Sequence, residues 1–138
     1  MTNSHLEAEV KSLVSQNRFE EARSEIQKSS AGDREKKRMS ALVDIGHGER
    51  SMADGQYLRA VNYFADALNN DPANKHAARG GCLAAYRFFV NRSFHPEDSS
   101  EPDPAALKVA VKACKGTSYG PQLLPFISSN LNNRAPAR

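Results

Sequence analysis

The residue types that perform metal or acid-base chemistry are few in this chain and widely separated. The histidines are His5, His47, His76 and His95, and none has a second histidine or a cysteine at the spacing that ligands of one metal ion require. No glycine-rich phosphate loop and no nucleophile elbow is present. We expect His47 to be a packed or solvated side chain, and the sequence predicts no catalytic residue, no metal ligand and no cofactor.

The two cysteines, Cys82 and Cys114, are too few for a zinc site. The N-terminal residues are polar and acidic where a signal peptide would be basic and then apolar. No stretch approaches the roughly 20 apolar residues that cross a bilayer. We therefore expect an intracellular, cytoplasmic protein without membrane insertion, and we expect both thiols to be reduced.

The net charge of +3 and the sequence pI of about 9.0 arise at the C-terminal end. Residues 1–40 carry eight basic and seven acidic side chains, and residues 41–92 carry six and five. Residues 93–103 hold four acidic side chains, whereas residues 104–138 hold five basic and no acidic ones. The near neutrality of the first 92 residues argues against a nucleic-acid partner.

One dense basic run interrupts this balance. It consists of Arg34, Lys36, Lys37 and Arg38, with Glu35 inside it. A solvated helix start or loop is the more frequent role of so short a run. The alternative is a ribonucleoprotein subunit that contacts RNA through this run and the basic tail, and such binding would weaken steeply with added salt.

Hydrophobic periodicity predicts an all-α chain of about five to six helices arranged as antiparallel hairpins. The predicted helices cover residues 6–16, 19–28, 41–53, 58–69, 75–91 and about twelve residues from 104. Asp103 is suited to cap the last of these, with Pro104 in its first turn. The helix at 75–91 has no obvious partner in the sequence.

A polar, acidic segment divides the chain. Residues 93–103 contain one apolar side chain and cannot bury enough surface to offset the entropy of ordering. This predicts a helical domain at 1–92, a flexible acidic linker at 93–103, a C-terminal helical segment at 104–131 and a disordered tail at 132–138. The conformation around Pro125 stays open, because proline fits only near a helix start or in an extended segment.

The central hairpin, GHGERSMADGQYLRAVNYFADALNNDP, resembles a tetratricopeptide repeat, a two-helix unit of about 34 residues. The matching residues are Gly48, Gly55, Tyr57, Ala60, Phe64, Ala67 and Pro72. Small side chains in this pattern let two helices approach closely, while Tyr57 and Phe64 fill the space between them. The segment QNRFEEARSEI echoes the pattern more weakly. The resemblance covers roughly residues 4–92 and implies a short TPR-like array followed by a C-terminal helix.

The first helix of the central hairpin departs from the family pattern. Asp44, His47 and Ser51 stand where the family usually has a large aromatic residue, a leucine and a tyrosine. We therefore expect atypical packing against the preceding hairpin.

The resemblance also implies a concave groove lined by the first helix of each hairpin. The residues expected to face it are Lys11, Leu42, Ile45, Glu49, Met52, His76, Arg79, Leu83 and Tyr86. Core packing is an equal alternative for Leu42, Ile45 and Leu83, and the favoured one for Met52 and Tyr86. The side chains with which relatives clamp the C-terminus of a chaperone are absent, so we do not expect that ligand.

The expected function is a non-enzymatic adaptor or scaffold that holds a peptide or an amphipathic helix of another protein. Short arrays need a neighbour to cover their ends, so the C-terminal segment, a second copy of the chain or the partner would complete the core. One version places residues 120–131 in the groove as an internal plug, and removing residues 117–138 would then increase partner affinity. A secretion-type chaperone that holds an unfolded substrate segment stays open, because fold does not determine function.

Overall fold

A computed structural model describes residues 3–98 and 100–133, and over that part of the chain the protein is all-α, without strands. The helices are α1 (Asn3–Ser15), α2 (Phe19–Lys28), α3 (Asp33–Ala53), α4 (Tyr57–Asn70), α5 (Lys75–Phe94), α6 (Pro104–Cys114) and α7 (Gly120–Asn133). The prediction of an all-α chain is confirmed, with seven helices in the described residues where five to six were expected.

Helix α3 begins at Asp33, well before the start that hydrophobic periodicity predicts at residue 41. Ion pairs support its polar first turns: the guanidinium of Arg38 contacts Glu35 of the same helix at 3.0 Å and Glu7 of α1 at 2.5 Å. Asp33 and Glu35 also lie in the first turn, where negative charge favours a helix. The predicted start was wrong because periodicity registers only apolar side chains.

The segment around Pro125, whose conformation the sequence left open, belongs to helix α7. The helix continues through Pro125, which lies in its second turn, and it ends at Asn133. The side-chain amide of Asn130 donates to the carbonyl oxygen of Phe126 at 2.9 Å. The tail predicted at 132–138 therefore begins within a helix, and residues 134–138 of it lie outside the described residues.

The helices pack as three successive pairs followed by α7. Helices α1 and α2, and likewise α3 and α4, are joined by short turns. Helix α5 pairs with α6 across the acidic segment predicted as a linker at 93–103, which we call the acidic connection. Helix α6 also packs on α4, and α7 packs on α5 and α6. A smaller core lies under α1, α2 and the first half of α3, and a larger core extends from α3 to α7. The helix predicted at 75–91, for which the sequence showed no partner, is α5, and it packs on α6.

A close approach of three helices occurs around the ring of Phe64 in α4. This ring is 2% exposed and lies between Gly48 of α3 and Gly80 of α5. A Cβ atom would lie 2.9 Å from the ring at Gly48 and 2.3 Å from it at Gly80, both closer than real Cβ contacts. Only glycine at these two positions lets α3 and α5 close on the ring, an arrangement that we call the Phe64 clasp.

Arg92 ties the acidic connection to α5. Its guanidinium donates to a carboxylate oxygen of Glu101 at 2.9 Å and to the carbonyl oxygen of Ser100, and it lies 4.8 Å from the ring centre of Phe88. Pro102 is buried. The connection that the sequence predicts to be flexible is thus held at the end of α5 and near the start of α6.

A disulfide joins Cys82 of α5 to Cys114 of α6, with the Cα atoms 4.9 Å apart and both side chains fully buried. The expectation of reduced thiols was wrong. The two residues are 32 positions apart in sequence, and only the packing of α6 on α5 brings them together. The loop that the disulfide closes contains the whole acidic connection.

Alanine at the two adjacent glycines of α5 should have opposite effects. Gly80→Ala places a Cβ atom against the clasped ring of Phe64, and overpacking of this kind costs about 1–3 kcal/mol. Gly81→Ala meets Ala110 at 3.4 Å, an ordinary contact, so it should gain up to about 1 kcal/mol from helix propensity. Urea unfolding followed by circular dichroism measures both. Equal free energies of unfolding for the two variants would contradict the clasp.

Removing the disulfide should lower stability. A cross-link that closes a loop of this length restricts the unfolded chain by about 3–4 kcal/mol, so Cys82→Ala with Cys114→Ala should lose a comparable free energy of unfolding. Alkylation of the denatured, unreduced protein should label neither cysteine. Labelling of both cysteines before reduction would show that the bond is not formed.

Candidate interaction cleft

A cleft of about 280 Å³ lies between α3 and α5. Its lining residues are Glu49, Met52, Phe64, His76, Arg79, Gly80, Leu83 and Tyr119. They include five of the residues expected in the groove, namely Glu49, Met52, His76, Arg79 and Leu83. We refer to this site as the α3–α5 cleft.

Helical spacing and the Phe64 clasp position these side chains. His76, Arg79 and Leu83 are three and four residues apart and therefore share one face of α5. Glu49 directly follows Gly48 in α3, and Arg79 directly precedes Gly80 in α5. Because Gly48 and Gly80 both contact the ring of Phe64, the clasp determines the separation of the two cleft walls.

The cleft combines an apolar floor with opposite charges on its two walls. Met52 and Leu83 are partly buried, whereas Glu49 and Arg79 are exposed. Within residues 3–98 and 100–133, neither of these two charged side chains forms an ion pair. The cleft therefore offers an apolar surface together with one anionic and one cationic group that are available to a ligand.

The other four residues expected in the groove do not line this cleft. Lys11 pairs with Glu7 on the same helix at 2.9 Å, and Leu42 is partly buried. Ile45 is 8% exposed and belongs to the larger core, which fits its alternative role in packing. The ring of Tyr86 meets that of Phe126 edge to face.

Helix α7 approaches this region from the C-terminal side. Phe126 contacts Tyr86 with ring centres 5.3 Å apart, and Tyr119, just before α7, lines the cleft. Sequence reasoning did not identify Tyr119. Its position between Gly116 and Gly120 predicts a turn, and an aromatic side chain in a turn is a candidate for a binding surface. Ile127 is fully buried in the core, so deleting residues 117–138 would also remove core packing. The plug hypothesis is better tested at Phe126.

A polar joint connects the first helical pair to the second. The ring of His47 lies between the rings of Phe19 and Tyr63, with centre distances of 4.2 and 3.8 Å and nearly parallel planes. The guanidinium of Arg23 donates to a carboxylate oxygen of Asp44 at 3.0 Å and lies 3.1 Å from Nδ1 of His47. Each of the helices α2, α3 and α4 thus contributes to one stacked and hydrogen-bonded group.

The joint contains Asp44 and His47, two of the three residues that depart from the repeat pattern. Asp44 is 7% exposed and Ser51 is buried as well. Burial raises the pKa of Asp44, and the ion pair with Arg23 opposes that shift. Burial lowers the pKa of His47, and the charge of Arg23 lowers it further. His47 is a packed side chain, in line with the expectation.

The described residues suggest neither a metal centre nor a transmembrane helix. Within residues 3–98 and 100–133, no three His, Cys, Asp or Glu side chains are grouped to hold a metal ion. None of the helices in the same part of the chain combines the length and apolar character needed to span a bilayer. No family model, curated protein or solved structure matches the chain.

Protonation of His47 should destabilise the protein. The folded-state pKa of His47 lies below the ordinary value of 6.5, so its contribution to stability is complete above that value and is lost as the pH falls towards the folded-state pKa. Protonation also places a positive charge beside Arg23. The raised pKa of Asp44 acts in the opposite direction, because protonation of its carboxylate at lower pH relieves the cost of burying a charge.

Urea unfolding at about pH 7.5 and about pH 5.5 brackets the ordinary histidine titration and measures this effect. His47→Gln should lose less stability than the wild type between the two pH values. His76→Gln removes an exposed histidine and should keep the wild-type dependence. Identical pH dependence in all three proteins would contradict the assignment.

Proposed function

We propose that this chain is a non-enzymatic protein-interaction scaffold built as a short tetratricopeptide-like array of helical hairpins. Support comes from the seven residues that carry the resemblance. Gly48, Ala60, Phe64 and Ala67 are buried between helices, and Tyr57 is partly buried at the start of α4. The other two flank this helix, since Gly55 has φ of 75° in the preceding turn and Pro72 follows the end of α4. A positive φ of this size favours glycine.

The proposed ligand is an amphipathic helix or an extended peptide of another protein, bound in the α3–α5 cleft. The main support for this ligand is the composition of the cleft, in which Met52 and Leu83 form an apolar floor and Glu49 and Arg79 supply unpaired charges. Apolar side chains of a ligand would be buried against the floor, and charged groups beside them would pair with the walls. Helix α7 would close the end of the site near Tyr86.

Contact with RNA has less support than peptide binding. Arg38 pairs with Glu7 and Glu35, and the ammonium group of Lys36 donates to the carbonyl oxygen of Gln27 at 3.1 Å. Two of the four basic side chains in the run are therefore engaged within the chain. Binding that is insensitive to salt would separate the peptide ligand from RNA, because phosphate contacts weaken steeply as salt is added.

The compartment stays a prediction. The sequence favours the cytoplasm, whereas a buried disulfide such as Cys82–Cys114 is typical of oxidising compartments. The lining of the proposed cleft is the same in either compartment, because neither cysteine belongs to it.

Changes in the cleft should remove partner binding while the fold persists. Leu83→Asp places a charge on the apolar floor, and Arg79→Glu reverses the charge of one wall. Each should raise the dissociation constant of a captured partner at least about tenfold, or about 1.4 kcal/mol. Affinity capture with mass spectrometry identifies the partner, and titration calorimetry with that partner gives the constant.

Arg87→Glu is the matched control. It makes the same charge reversal on α5 at an exposed residue outside the cleft, so it should bind like the wild type. Circular dichroism would verify that all variants keep their helical content. Equal binding by Leu83→Asp, Arg79→Glu and the wild type would eliminate the cleft as the binding site.

A further inference from the structure

A larger groove of about 540 Å³ lies where the turn after α4 meets the second half of α6. Its apolar lining consists of Leu68, Pro72, Ala73, Ala78, Val109 and Ala113. It shares no lining residue with the α3–α5 cleft. We refer to it as the α4–α6 groove, and the function proposed above makes no use of it.

The rim of the α4–α6 groove is basic. Lys75 and Lys112 line it, both are exposed, and neither forms an ion pair in the described part of the chain. Lys108 lies four residues before Lys112 on the same face of α6, and Lys115 directly follows the end of that helix. Residues 104–138 contain no acidic side chain. An occupant of this groove should therefore combine an apolar anchor with negative charge.

Nucleic acid and a lipid surface fit this groove less well than a protein segment. Among the residues that the structure describes, no aromatic side chain lines it, so these residues offer no platform on which bases could stack. Its apolar residues line a concavity, whereas a side chain that enters a bilayer has to project. A short acidic peptide segment matches both the shape and the charge.

The opposite end of α5 carries such a segment. Phe94, the last residue of α5, is 77% exposed and is the one large hydrophobic side chain so exposed among the described residues. A turn follows it, in which the Asp98 N–H donates to the carbonyl oxygen of His95 at 3.0 Å. Glu97 and Asp98 in this turn are exposed. We refer to residues 94–98 as the acidic corner.

The acidic corner cannot reach the groove of its own chain. Lys75 and Phe94 are the two ends of α5, and a straight helix of that length separates them by about 29 Å. The corner is also held near its own helix, because Arg92 contacts Ser100 and Glu101 just beyond it. An acidic corner in this groove therefore has to come from another molecule.

We propose that the acidic corner of one copy of the chain docks into the α4–α6 groove of a second copy. Phe94 contacts the apolar lining, and Glu97 and Asp98 pair with Lys75 and Lys112. The two surfaces differ, so each docked copy leaves one groove and one corner unoccupied, and assembly continues head to tail. Self-association of this kind does not depend on what the α3–α5 cleft binds. If the α3–α5 cleft also binds a peptide, an assembly of several copies presents several clefts to a partner with repeated peptide segments, which increases avidity.

Sedimentation velocity of the full chain at increasing concentration tests this arrangement. The wild type should exceed the monomer mass and grow with concentration, and it should dissociate as salt rises from about 0.05 M to about 0.5 M, where charges are screened. Phe94→Ser and Lys112→Glu should each raise the dissociation constant of self-association at least about tenfold. Both residues are exposed, so circular dichroism should show an unchanged fold.

Mixing the two variants gives the decisive measurement. Phe94→Ser keeps a working groove and Lys112→Glu keeps a working corner, so the mixture should form a dimer and nothing larger. Lys37→Glu, which makes the same charge reversal at an exposed residue of α3, and Leu83→Asp in the cleft should both assemble like the wild type. A wild type that stays monomeric at every concentration would overturn the proposal, as would a mixture that does not dimerise or loss of assembly in Leu83→Asp.

Discussion

The ring of Phe64 determines how closely three helices of this protein can pack. An aromatic side chain from α4 fills the space between α3 and α5, and both helices present a glycine to it, Gly48 on one side and Gly80 on the other. Glu49 and Arg79 directly adjoin those glycines in sequence. The contact that packs the core therefore also sets the span between the charged walls of the α3–α5 cleft, so packing and the candidate binding geometry have one physical origin.

Three kinds of interaction hold the successive helical pairs together. A polar joint connects the first pair to the second, with Arg23 bonded to Asp44 beside the stacked ring of His47. Close aromatic packing around Phe64 connects the second pair to the third. A disulfide and the contacts of Arg92 close the third pair, whose two helices are separated by the acidic connection. The joint contains the titratable side chains of Asp44 and His47, so pH affects it. The Phe64 clasp contains no titratable group, and the disulfide responds to reducing agents. Each junction can therefore be perturbed separately.

Helix α5 contributes to each of the candidate surfaces. Arg79 and Leu83 line the α3–α5 cleft, Lys75 and Ala78 line the α4–α6 groove, and Phe94 ends the helix at the acidic corner. Its buried residues pack against α4, α6 and α7, while Arg87 stays exposed. The α3–α5 cleft and the α4–α6 groove share no lining residue, so a ligand in one leaves the lining of the other uncovered.

The sequence by itself determined most helices, because periodicity and turn signals are properties of neighbouring residues. It pointed to five of the side chains that line the cleft only through the resemblance to a repeat family. Local pattern left the burial of Ile45 as one of two alternatives, and it could not reveal the bond between Cys82 and Cys114 or the place of Tyr119 in the cleft. Each of these depends on contacts between residues far apart in the chain. Only the tertiary structure decides such contacts, because packing selects among several partners that local sequence permits equally.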